Sequence, residues 1–198
     1  MHEQRGFTLV ELLIVVAVLS IAALVTFPSL DRAFAEHRMR LSATEAMRVM
    51  LLARSYAARH SAHVAVKFHR GADGRPCFWV LYVDGDGDGV LTRDLERGID
   101  HPVPAVSGLI ERPLSFASGV VPGFPPGPLP RDPGGRPLDR DRPVRFGRGD
   151  LASFGALGTA TPGTLYLTDG RRLAAVRVTG RSGGVRVLLW DADAGSWR

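Results

Sequence analysis

The residues best placed by type and spacing to do chemistry lie in "DGDGDGVLTRDLERGID", positions 84–100. Asp84, Asp86 and Asp88 alternate with glycines and lead into Gly89. This is the opening of a D-x-D-x-D-G calcium loop, in which alternate carboxylates converge on a hard cation and glycine permits the sharp turn. The twelfth position of such a loop carries a bidentate acid, but here it is Leu95, and Asp94 and Glu96 each miss it by one residue. Three readings stand: a Ca2+ site on Asp84, Asp86 and Asp88, a solvated acidic turn, or a turn that docks arginines of an adjacent subunit. A second constellation is basic. Arg171, Arg172, Arg177, Arg181 and Arg186 gather on the last predicted strands and turns, where arginines can grip phosphates or lie on solvated strand faces. No aromatic pattern for stacking bases is interleaved with them. The third feature is one acid, Glu11, set inside an apolar run. His60 and His63 lack the Cys or carboxylate partners of a metal site. Nucleophile elbow, phosphate loop and paired-Cys motifs are all missing from the sequence, so it predicts neither a catalytic centre nor an organic cofactor.

The totals bound what can carry these groups. A chain of 198 residues has room for one ordinary domain plus an anchor or tail. Its formal charge of +5 rests on arginine, Lys67 being the only lysine, and suits nucleic acid, anionic lipid or an acidic protein partner equally. The lone Cys77 excludes an intrachain disulfide.

The apolar weight is concentrated in "GFTLVELLIVVAVLSIAALVTFPSL". From Phe7 to Phe27 only Thr8, Glu11, Ser20 and Thr26 are polar, and a helix of that length, about 31 Å, spans a bilayer. A cleaved secretory signal is the rival, with "AFA" at 33–35 as its small-residue site. The run is too long for it, the site lies too far beyond, and an acid interrupts the segment. A secreted enzyme released that way would begin at Glu36. A carboxylate inside hydrocarbon is unfavourable by roughly 2.5–3.5 kcal/mol at a helix centre, so Glu11 must reach the interface or find a cation.

Beyond the run, Met39, Ala43, Ala46, Met47, Met50, Ala53 and Ala57 recur at spacings of three and four, which predicts a helix with one apolar face. After His60 the period changes. "HVAVKFH" (63–69) and "CFWVLYVD" (77–84) read as a hairpin around "GADGRP", and "GTLYLTDGRRLAAVRVTGRSGGVRVLLWD" reads as three strands, with Asp169-Gly170 as a tight-turn pair. Phe78, Trp79 and Trp190 are candidates to bury against the helix stripe. Residues 119–144 are too rich in Pro and Gly for regular structure and read as a long surface loop or a mobile segment. The predicted fold class is α+β, a long N-terminal helix packed on a mainly antiparallel sheet.

The leader through "GFTLVELL" resembles the class III signal of type IV pilins and type II secretion pseudopilins. That resemblance implies a leader of residues 1–6 cut after Gly6 by a prepilin peptidase, with N-methylation of the new Phe7 amine. It also implies a retained inner-membrane helix over 7–27, a stem over 28–60, a β-rich head over 61–198, and a Glu11 that pairs with the Phe7 amine of a neighbouring subunit. Counting arginines alone would put the far side of the helix in the cytoplasm, since Arg32, Arg38, Arg40 and Arg48 outnumber Arg5. The leader overrides the count, because its cut site is cytoplasmic, and this places the head in the periplasm. The hairpin "CFWVLYVDGDGDG" and the C-terminal strands are similar to the GspH/FimT group of minor pilins and pseudopilins. That similarity implies a structural subunit of the type II secretion pseudopilus, in contact with other major and minor pseudopilins and with secreted cargo. The rival it leaves open is a minor pilin of a type IV pilus that binds DNA for natural transformation, with Gly180, Arg181 and Arg186 as its counterpart of the glycine-arginine region. Ser182, Gly183 and Gly184 break that spacing.

Overall fold

The computed structural model describes residues 9–69, 78–103, 112–113, 119–180 and 182–198, with the side chains of 23–29 and 112–113 outside that description. The chain divides into two compact units, Met1–His37 and Arg38–Arg198. The first helix, α1 (Leu9–His60), contributes residues to both.

In the first unit, the described side chains from Leu9 to Ala22 are exposed on every side of the helix. Ser20 returns its hydroxyl proton to the Val16 carbonyl at 2.8 Å, which satisfies the hydroxyl within the helix's own backbone. Among the described residues no helix is long and apolar enough to cross a membrane; the described side chains of the apolar run stop at Ala22, short of the Phe27 expected to end the span.

In the second unit, α1 lays its predicted stripe into the core. Met39, Ala43, Ala46, Met50, Ala53 and Ala57 are fully buried, Val49 joins them, and Met47 packs at the edge. The stripe shares one core cluster with residues of two sheets, so its alanine methyls and methionine side chains are packed from both.

The first sheet contains β1 (Val64–His69), β2 (Phe78–Val83), β3 (His101–Pro102), β4 (Arg112–Pro113) and, later in the chain, β7 (Leu151–Phe154). Its order is β3-β2-β1-β7, with β4 also on β2. The predicted hairpin forms in antiparallel register from Val64 opposite Val83 to His69 opposite Phe78; its "GADGRP" turn and Cys77 lie outside the described residues. Val64, Val66, Phe68, Trp79 and Leu81 face α1, while Ala65 and Tyr82 face the other way and are covered by Val90, Leu95 and Leu151. A short helix, α2 (Thr92–Arg97), supplies Leu95.

The second sheet contains β5 (Val121–Pro122), β6 (Val144–Phe146), β8 (Gly163–Thr168), β9 (Leu173–Thr179), β10 (Gly184–Asp191) and β11 (Ser196–Trp197), ordered β11-β10-β9-β8-β5 with β6 also on β8. Strict alternation sends Leu165, Leu167, Ala174, Val176 and Val178 toward α1. The opposite face carries Tyr166, Leu173, Ala175, Leu188 and Trp190. Trp79 thus meets the helix core as anticipated, whereas Trp190 lies on the far face beside Trp197, with ring centroids 5.4 Å apart. The Asp169-Gly170 pair belongs to a four-residue connection, because the Asp169 carboxylate accepts the amides of both Arg171 and Arg172 and widens the turn.

The Pro/Gly-rich segment takes a defined course held by side-chain contacts. It folds over the outer face of the second sheet, where Phe124 meets Tyr166 at 5.1 Å. Trp197 donates its indole N–H to the Arg131 carbonyl at 2.8 Å, and Arg140 donates to the carbonyls of Pro125 and Gly127. Proline removes donors but leaves carbonyls, and these are what the arginine and tryptophan clamp.

Candidate functional site

The acidic turn leaves β2 and doubles back through α2 to β3. Its centre is Asp84. One carboxylate oxygen accepts the amides of Gly87 (2.7 Å) and Asp86 (3.2 Å), and the other accepts that of Gly89 (2.9 Å). Burial pushes this carboxyl up, but the three amides outweigh it and hold it below the ordinary carboxylate range. Gly89, at φ 96°, takes the left-handed conformation that brings its amide round. Gly85 is fixed by space instead, since a Cβ there would strike the Ile99 carbonyl.

The sequence pointed to Asp84, Asp86 and Asp88, and the structure brings one ligand atom from each within 4.8 Å of the others. Asp86 and Asp88 are exposed. Asp88 is pushed up by lost hydration and by the Asp86 charge, against the pull of Arg93. Arg93 donates to Asp88 at 2.6 Å and to Asp94 at 3.0 Å, so a guanidinium already bridges the acids. Calcium takes six to eight oxygens. Here it would have three carboxylates, one of them committed to amides, and would compete with Arg93.

Sequence reasoning missed Asp100. It is 2% exposed, and its two oxygens accept the amides of Gly85 (3.1 Å) and Leu91 (2.8 Å), tying both ends of the turn together. Asp94, which falls one residue from the ligand position of the calcium pattern, is also buried, and its carbonyl accepts the amides of Ile99 and Asp100. The signal that could have found Asp100 is an acid closing a run that starts with an acid, "DGDG…GID", read as a bracket instead of a ligand set.

Of the basic candidates, Arg181 lies outside the described residues and Arg186 is exposed on β10. Register places Arg186 opposite Arg177, Arg177 opposite Thr164, and Thr164 opposite Arg145. Three arginines therefore share one row on the outer face of the second sheet.

Gly6 and Phe7 lie outside the described residues, and Glu11 is exposed in the first turn of α1. Residues 1–27 match the family described as the prokaryotic N-terminal methylation motif. The match supports a type IV pilin-like subunit, and a class III prepilin signal implies processing by a prepilin peptidase and assembly with other pilins. No curated protein and no solved structure matches the chain.

Proposed function

We propose that the chain is a minor pseudopilin of the GspH/FimT group, a structural subunit of the type II secretion pseudopilus in the bacterial inner membrane. The observation that supports it, at the level of a pilin-like subunit, is the N-terminus: a methylation motif over residues 1–27 includes the start of a helix whose apolar side chains from Leu9 to Ile21 are exposed all round. A helix apolar on every face belongs in lipid or in a bundle of its own kind, and the small, back-bonded Ser20 suits both. In this reading residues 1–6 are removed after Gly6, residues 7–27 cross the membrane, and Glu11 meets the methylated Phe7 amine of the next subunit. That pairing removes an isolated charge from hydrocarbon and sets the stagger between subunits. The head, in the periplasm, contacts other pseudopilins or secreted cargo and performs no catalysis.

Crosslinking of the full chain in its native membrane, with mass spectrometry of its partners, tests the reading. Pseudopilins and a secretion platform are the expected partners. Pilus subunits with a DNA receptor would replace it by the type IV pilus reading, which draws on the exposed Arg186. Salt-sensitive DNA binding lost in Arg181→Ala with Arg186→Ala would then follow.

A further inference from the structure

A cleft of about 390 Å³ opens between the folded Pro/Gly-rich segment and the outer face of the second sheet. Arg136, Arg142, Arg145 and Arg177 line it with one acid, Asp132. Arg142 is paired with Asp150 at 2.7 Å, and Arg145 lends one N–H to the Pro137 carbonyl at 3.3 Å. Among the described residues, Arg136 and Arg177 make no ion pair.

The arrangement opposes stability. Arg177 stands directly across from Arg186 on the neighbouring strand, and like charges facing each other across a ladder are unfavourable. Arg145 joins the same row two strands away, about 9–10 Å at the usual strand spacing. A break in local consistency without a structural return marks a position held for binding.

We infer that this cleft binds a carboxylate-rich segment of a partner protein. Three features favour that occupant over nucleic acid. The cleft's aromatic ring, Tyr166, is 1% exposed and pinned under Phe124 and Trp197, so no ring face is offered to a base. The space is bounded, suited to a few side chains rather than to a continuous phosphate track. Its lining sets a carboxylate near a guanidinium without pairing them: Asp132 and Arg177 both reach Gly134, where an added Cβ would stand 3.2 Å from an Asp132 oxygen and 3.1 Å from an Arg177 nitrogen. The inference holds whichever assembly the subunit joins, because it rests on the head alone.

The test is fluorescence anisotropy of the full chain in detergent with a labelled Asp/Glu-rich peptide, its Asn/Gln counterpart and single-stranded DNA. The acidic peptide binds in a salt-sensitive manner and the neutral one does not. Arg177→Gln and Arg145→Gln each weaken binding about tenfold, the scale of one charge-assisted hydrogen bond, whereas Arg171→Gln at the hairpin tip leaves it unchanged. Arg177→Gln also unfolds at no lower temperature than the parent, since it removes a like-charge pair. Unaltered binding in both cleft variants overturns the inference. So does tighter binding of DNA than of peptide, or a loss of thermal stability in Arg177→Gln that marks the arginine as structural.

Discussion

Replacing Asp100 by alanine tests whether the acidic turn is a bracket around a buried carboxylate. Asp100 is 2% exposed and accepts the Gly85 and Leu91 amides at 3.1 and 2.8 Å. Hydrogen bonds to a charged group contribute about 1.5–3 kcal/mol each. Water entering the vacated edge recovers part of that, leaving a net loss of about 2–4 kcal/mol. The turn carries Val90 and Leu95 over the outer face of the first sheet, so the loss is transmitted to the packing of Ala65 and Leu151. At about 2–4 °C per kcal/mol for a domain of this size, the melting temperature should fall by about 5–15 °C. Near-ultraviolet circular dichroism of the detergent-solubilised chain reads it. Asp86→Ala is the control: Asp86 is exposed and accepts the Asp88 amide at a long 3.4 Å, so it should melt within about 2 °C of the parent. Equal shifts in the two variants, or none in Asp100→Ala, would refute the bracket.

Three further outcomes follow from the same geometry. Asp84 and Asp169 are both partly buried, yet backbone amides, aided at Asp169 by the Arg172 side chain, hold both carboxyls below their ordinary range. Each therefore stabilises the fold above about pH 4 and loses that contribution as pH falls through the lowered folded value, so melting temperature should be flat from about pH 7 to 5 and drop below about 4. Asp84→Asn with Asp169→Asn should shallow the drop, and a melting temperature that climbs on acidification would contradict the assignment. Met50→Ala, at a fully buried stripe position between the sheets, should lower stability by about 2–5 kcal/mol in denaturant unfolding. Arg140→Ala should free the carbonyls of Pro125 and Gly127 and expose residues 123–143, between β5 and β6, to limited proteolysis while the strands stay intact.

The helix stripe was legible because Met39 to Ala57 repeats at three and four, a local signal that the two sheets only had to accept. The β1–β2 hairpin and strands β8, β9 and β10 were legible for the same reason, through β-branched runs punctuated by glycine. The ordered course of residues 119–143 was not, because its partners are remote. Trp197 reaches Arg131 across 66 positions, and composition names no partner for the segment, nor the short β5 within it. The acidic turn was half legible. Asp84, Asp86 and Asp88 stood out by spacing, but Asp100 is 15 and 9 residues from the two amides it holds and fits no ligand template. The arginine row needed the register of four strands, since Arg145 and Arg177 come together only through β8.

The central claim is that this chain enters an assembly as a processed, pilin-like subunit, and tandem mass spectrometry of its N-terminus after isolation from the native membrane tests it most directly. The account predicts a chain that begins at Phe7, N-methylated, with residues 1–6 gone. A chain that begins at Met1 or at Glu36 would contradict it.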